Sequence, residues 1–206
     1  MRNGLSLGAR FGLALVLGAA LTTAPAASPA VPLSIGTARV TVAGTSNVHE
    51  WTASSTTVTV TRAQLGAGAV AGPGFWTDAL KPGVVEAFEI TIPVATLKSP
   101  KGDIDQNMQK ALKMDKYPDI TFRLVRFEAK EAGTRAIGTL RIAGIDRQIA
   151  LDLTTKPGTS NLTVQGSLDF LMTDFGIEPP KAMMGMLKTD PKVKVTFEVV
   201  LGVPLT

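Results

Sequence analysis

Apolar and polar side chains alternate with a period of two along most of this chain. The cleanest run places Phe88, Ile90, Ile92 and Val94 on one face and Ala87, Glu89 and Thr91 on the other, the pattern of a half-buried strand. Pro93 puts a strand end or an edge at that point. The same alternation predicts strands over 33–43 (Ala38, Val40, Val42) and over the threonine-rich 48–61 (Val58, Val60). Further strands are predicted over 119–128 (Ile120, Phe122, Leu124), 135–143 and 147–155 (Ile149, Leu151, Leu153). The last two are 162–170 (Leu162, Val164, Leu168, Phe170, with Gly166 in register) and 193–201 (Val193, Val195, Phe197, Val199, Leu201). Gly44 is expected to interrupt the first strand, Gly144-Ile145-Asp146 to turn a hairpin, and the stretch from 62 to 83 to be a loop.

One segment changes period. Met108, Leu112 and Met114 stand among Gln109, Lys110 and Lys113, which predicts two or three turns of amphipathic helix within 104–115. Pro118 bars its continuation and drives Tyr117 towards extended backbone. The total is eight strands, mostly joined by short links, which favours antiparallel pairing. A sandwich and a barrel would both bury eight apolar faces; the barrel also removes the edges, and eight strands suit an interior filled by side chains or holding one small ligand.

Residues 1–26 stand apart from this pattern. Arg2 and Arg10 precede an apolar run from Phe11 to Leu21, and small residues follow in TTAPAASPA. That order predicts an export signal, with cleavage after Ala26 or as late as Ala30, and leaves one domain over 31–206. The run is too short to span a bilayer comfortably, and a chain without cysteine has no site for a lipidated N-terminus, so a soluble periplasmic or secreted protein with no stable membrane span is expected.

Charge and chemistry remove several function classes. Of 21 Lys and Arg and 17 Asp and Glu, the two arginines of the leader do not count, so the mature chain is nearly balanced. Scattered lysines without aromatic interleaving give no reason to expect nucleic acid as a partner. One histidine and no cysteine exclude metal sites built on paired histidines or thiolates, and no cofactor is expected. His49 and Glu50 are neighbours on one strand and face opposite ways. Asp103 and Asp105 beside Gly102 are explained by the charge preference of a helix N-terminus, and Ser54 and Ser55 have no nucleophile-elbow context. The glycines of GAGAVAGPG (Gly66 to Gly74) lack the helix and lysine of a phosphate loop. No group of residues points to catalysis.

Three runs resemble one family. MQKALKMDKYPDITF (Met108 to Phe122), GTLRIAGIDRQIALDL (Gly138 to Leu153) and TDFGI (Thr173 to Ile177) are similar, in order and spacing, to the YceI-like periplasmic lipid-binding proteins. GTSNVHEW (Gly44 to Trp51) and IEPPKAMMGMLKTD (Ile177 to Asp190) resemble a subgroup variant. The chain departs from the family's usual opening, in which an Asp and a His-Ser pair precede an aromatic-rich strand, so no ligand contact carries over from that pair. The resemblance implies an all-β, extended, eight-stranded, lipocalin-like antiparallel barrel. Its apolar interior would carry a long-chain isoprenoid or another amphiphilic lipid without enzymatic activity, and a homodimer is among the assemblies it allows. Strand faces of Val, Ile, Leu and Phe suit a hydrocarbon tail, which gains about 0.8 kcal/mol for each buried CH₂, yet a solid core would read the same. If the barrel is hollow, its wall should come from Phe88, Ile90 and Ile92, Phe122 and Leu124, Leu168 and Phe170, and Val195 and Phe197. Met183, Met184 and Met186, flexible and polarizable, should then lie near an opening. The alternative is an envelope interaction module with a filled core.

Overall fold

The alternating stretches pair into one antiparallel sheet in the structure, a computed structural model that describes residues 33–66, 72, 74–131, 133–182 and 186–202. The expected export signal, Met183 and Met184 lie outside the described residues. The strands are β1 (Ser34–Ser46), β2 (Glu50–Ser55), β3 (Thr59–Leu65), β4 (Val85–Pro93), β5 (Asp119–Ala129), β6 (Thr134–Ile142), β7 (Ile145–Pro157), β8 (Asn161–Leu171), β9 (Lys181–Ala182) and β10 (Leu187–Gly202). Helix α1 (Phe75–Ala79) lies between β3 and β4, and α2 (Gly102–Ala111) between β4 and β5. The sheet runs in the order β2-β1-β10-β8-β7-β6-β5-β4-β3, with the two-residue β9 paired to β10 off this path.

Nine strands therefore make the curl, where eight were expected. The extra one comes from 48–61, which divides at Thr56–Val58 into β2 and β3. These two are neighbours in sequence and the two ends of the sheet: β2 pairs with β1, and β3 with β4. Three residues thus cross the seam between the two ends of the curled sheet. After β4 and a 3₁₀ turn (Val94–Thr96), Lys98 meets β2 through two backbone hydrogen bonds with Ser54, of 2.8 and 2.9 Å. Ser55 Oγ and Thr96 Oγ1 share a further 2.7 Å bond beside it, so the seam is stitched by hydrogen bonds without a continuous ladder.

Local chemistry explains the other departures. The β6–β7 hairpin turns on Ala143-Gly144, one residue earlier than expected, with Ile142 opposite Ile145 and φ of 49° and 81°; two left-handed residues match the twist of a two-residue hairpin. Gly44 does not interrupt β1. It stands opposite Trp51, whose indole lies on it so closely that a Cβ there would come within 2.5 Å of the ring. The loop expected as far as 83 contains α1, which is too short for a period to show. Helix α2 begins two residues before the expected segment, and the chain leaves it through Lys113 at φ 54°, before Pro118 is reached. Pro93 ends β4, as expected from its missing N–H.

Arg39, Arg123, Asp152, Ser167, Lys194 and Glu198 face outward and are exposed, and the apolar sets face inward. This is the reverse of a membrane-spanning barrel, whose apolar band is on the outside. No described helix is long and apolar enough to cross a membrane.

Candidate functional site: an apolar cavity with one polar mouth

The inward faces do not meet. They enclose a cavity of about 420 Å³, within the range of roughly 300–1,000 Å³ usual for small-molecule sites. The inward side chains of Phe88, Ile90, Ile92, Phe122, Leu168, Phe170, Val195 and Phe197 are only partly buried although they point away from bulk solvent. Those surfaces face the lumen. Leu124, at 8 % exposure, is packed. All nine of these wall residues expected from sequence line the cavity, so the structure brings together residues from β4, β5, β8 and β10. Met186 is 68 % exposed and does not line it; its carbonyl accepts a 2.8 Å bond from Asn47 Nδ2 beside the mouth.

Sequence reasoning did not single out the rest of the wall. Val40 and Val42 of β1, Leu140 of β6, and Ile149, Leu151 and Leu153 of β7 are among the residues that extend it. Their alternation was visible, but not their meeting around a void. At one end stands α1, with Phe75, Trp76 and Ala79 buried and the Phe75 and Trp76 rings edge to face at 5.0 Å. Trp76 is the floor: it lines the cavity and is 3 % exposed. At the other end α2 lies over the opening. It has no buried residue, and Ile104, Met108 and Ala111 line the cavity from its inner face.

Polarity is confined to the α2 end. Ser46, His49, Lys101, Asp103, Asn107, Lys181 and Thr189 are the polar residues of the lining, tryptophans aside, and all sit at this mouth. The shaft below offers a ligand hydrocarbon surface only. Trp51 and Trp76 each bury an indole N–H with no partner among the described residues, Trp51 against the face of Gly44.

The groups weighed for chemistry have structural occupations. Asp105 accepts a 2.7 Å bond from the Ser99 N–H and stands 3.9 Å from Lys98 Nζ. Ser54 Oγ bonds Thr41 Oγ1 at 2.9 Å, and Ser55 is held by Thr96. Among the described residues no three His, Asp or Glu side chains converge as a metal site. The one strongly shifted carboxyl is outside the cavity: the Arg135 guanidinium (2.7 Å) and then the Lys130 ammonium (2.8 Å) hold Asp152 well below the usual carboxylate range.

Comparison with known proteins agrees with this architecture. BcnA of Burkholderia cenocepacia shares the fold at a TM-score of 0.61 and 12% identity, over 79% of this chain and 95% of that one. A polyisoprenoid-binding domain from Saccharophagus degradans, implicated in plant cell wall breakdown, also has a TM-score of 0.61 and 12% identity, over 84% and 99%. The YceI protein of Campylobacter jejuni has a TM-score of 0.50 and 18% identity, over 70% and 80%. No curated protein matches the chain. The model of the YceI-like domain matches residues 35–201, nearly the whole described sheet from β1 to β10. A hollow antiparallel curl carrying that match across its full length belongs to the YceI-like family.

Proposed function

We propose that this protein is an exported, non-enzymatic carrier that holds a long-chain isoprenoid or other amphiphilic lipid inside the curl. The observation that carries the reading is the shaft, whose inward side chains are apolar on every side and partly uncovered. Water gains few hydrogen bonds on such a wall, whereas a tail that replaces it gains about 0.8 kcal/mol per buried CH₂. A filled-core interaction module needs no such void. The family match and the Saccharophagus neighbour, itself described as polyisoprenoid-binding, support the same class of ligand. The charged n-region and apolar run before residue 26 support export to the periplasm, and the polar outer face suits a protein that works in water.

The test is organic extraction of protein purified from its own export compartment, followed by mass spectrometry. A stoichiometric long-chain amphiphile is the expected result. Repeated recovery of protein free of lipid, and unable to take up added prenyl alcohol, would overturn the reading.

A further inference from the structure

The sheet is parted between β7 and β8. Their ladder runs from Pro157 opposite Leu162 to Leu153 opposite Gly166, and stops there. Both strands continue: β7 stays paired to β6 back to Ile145, and β8 to β10 as far as Leu171. Residues 145–152 and 167–171 therefore border each other with no ladder pairs between them. Continuing the register would set Leu151 opposite Leu168, Ala150 opposite Asp169 and Ile149 opposite Phe170.

The β6–β7 hairpin decides which backbone groups face the parting. Ile142 and Ile145 flank its two-residue turn and bond each other, so Arg147, Ile149 and Leu151 also turn their N–H and C=O groups to β6. Gln148 and Ala150, between them, turn theirs to the parting. On β8 the same alternation points the Leu171 N–H at β7, yet it bonds the Asp174 carboxylate, at 3.2 Å.

A parted ladder is no opening where side chains close it from within. The β4–β5 ladder also stops, at Glu89 opposite Arg123, but there Val85 and Phe88 pack with Leu124 and Phe127 in one cluster. Between β7 and β8 the packing divides with the ladder. Leu151 and Leu168 still share a cluster, whereas Phe170 packs with Met172 and Phe175 and Ile149 does not. Ile149 and Phe170 both line the cavity, and Gln148, Ala150 and Asp169 outside them are exposed. Arg147, opposite the cavity-lining Leu140, belongs to the inner face and is nevertheless exposed. At this point one layer of side chains separates water from the shaft. Free strand edges also invite a strand from another chain, but Asp146, Asp152 and Asp169 put charge along these two and oppose that use.

We propose that the parting is a side portal, through which the ligand's hydrocarbon tail enters and leaves the shaft as Ile149 and Phe170 swing apart. No ladder bond has to break for this motion. The inference rests on the carrier reading, and the test separates the two.

The chain has no cysteine, so paired cysteines can be bridged cleanly. Ala150→Cys with Asp169→Cys would be joined across the parting by a short bis-maleimide. Ser167→Cys with Thr196→Cys, exposed partners on the fully paired β8 and β10, is the control. Stopped-flow fluorescence of Trp51 and Trp76, which line the cavity, follows geranylgeraniol entering and leaving delipidated full-length protein. Bridging the parting should slow both entry and release about tenfold or more against the same variant unbridged, with the equilibrium affinity unchanged. The control bridge should alter neither rate. Unchanged rates across the bridged parting, or equal slowing by the control bridge, would overturn the portal and leave the carrier standing. An unaltered protein that takes up no probe would overturn both. Amide exchange in the ligand-free unaltered protein tests the parting without a probe: Gln148 and Ala150 should exchange much faster than Ile149 and Leu151. Equal protection of all four would show β7 and β8 joined, and the portal would fall.

Discussion

Phe197 on β10 lies across Gly166, the residue directly opposite it on β8, so closely that a Cβ added at Gly166 would stand 2.6 Å from the ring's Cζ. Phe122 on β5 covers Gly138 of β6 in the same manner. Glycine weakens a strand interior, and these two sites show what it provides here. An aromatic ring pointing straight into the lumen would fill it. Laid over a bare backbone on the next strand, it becomes part of the wall, and the shaft stays open.

Gly166→Ala should therefore narrow the lumen more than it harms the fold. The nearest atoms are the far end of a flexible ring and the Asp152 carbonyl at 3.2 Å, so Phe197 must swing inward. We expect a prenyl probe to lose about tenfold in affinity, with a stability change within about 1–3 kcal/mol of the overpacking range. Gly138→Ala differs because its Cβ would also meet the Arg123 carbonyl at 2.7 Å, and backbone cannot step aside. That variant should show the larger drop in denaturant midpoint. A Gly166→Ala protein with undiminished probe affinity would show that Phe197 does not set the lumen's width.

Packed and lumen-facing aromatics should respond differently to truncation. Phe175 is 1 % exposed and edge to face with Phe170 at 5.1 Å, so Phe175→Ala removes contacts and leaves a new void, at a cost of about 3–5 kcal/mol. Phe122 already borders a cavity, so Phe122→Ala adds little void and should cost only the transfer part, roughly 1.5–3 kcal/mol. Urea titrations of both ligand-free variants measure this. Equal losses would mean that the interior around Phe122 is as tightly packed as that around Phe175.

How much of this could be read from sequence depends on the range of the signal. Strand faces are local, so the inward sets around Ile90, Phe122, Leu168 and Val195 were visible as alternation. The split of 48–61 was not: the run is rich in serine, threonine and valine with no glycine or proline at Thr56, and nothing in it marks the passage from one sheet edge to the other. Gly138 and Gly166 were visible as strand glycines, but the rings that cover them come from other strands. Hollowness was invisible for the same reason, since a filled and an empty barrel need the same apolar alternation. The polar mouth is assembled from His49, Lys101 and Lys181, whose separation along the chain hides their proximity.

The outer face carries a pH-sensitive contact. Arg135 and Lys130 both bond Asp152 and depress its pKa, so the charged form is favoured in the folded state. A depressed carboxyl contributes stability that is present above its unfolded pKa and is lost as pH falls through its folded value. Asp152→Asn should thus lower the urea midpoint slightly near neutrality, and the difference from the unaltered protein should vanish in strong acid, below the usual carboxylate range. Asp152 is exposed, so molar salt should shrink the effect as well. A difference that grows on acidification would reverse the assigned sign.

Leu168→Lys tests the site itself. Leu168 lies opposite Val195, lines the shaft, and sits two residues from the gap that Gly166 leaves for Phe197. In the ligand-free protein the new ammonium can be solvated by lumen water, because the wall around it is only partly covered, so the variant should still fold and be exported. A hydrocarbon tail displaces that water and offers no partner, and an unpaired charge cannot share the shaft with it. The variant should lose its co-purified lipid. Ser167→Lys is the control, since Ser167 is exposed on the opposite face of the same strand and pairs with Thr196. It should keep the lipid with little change in stability. Mass spectrometry of solvent extracts reads both, and a Leu168→Lys protein with its full lipid complement would place the binding site outside the curl.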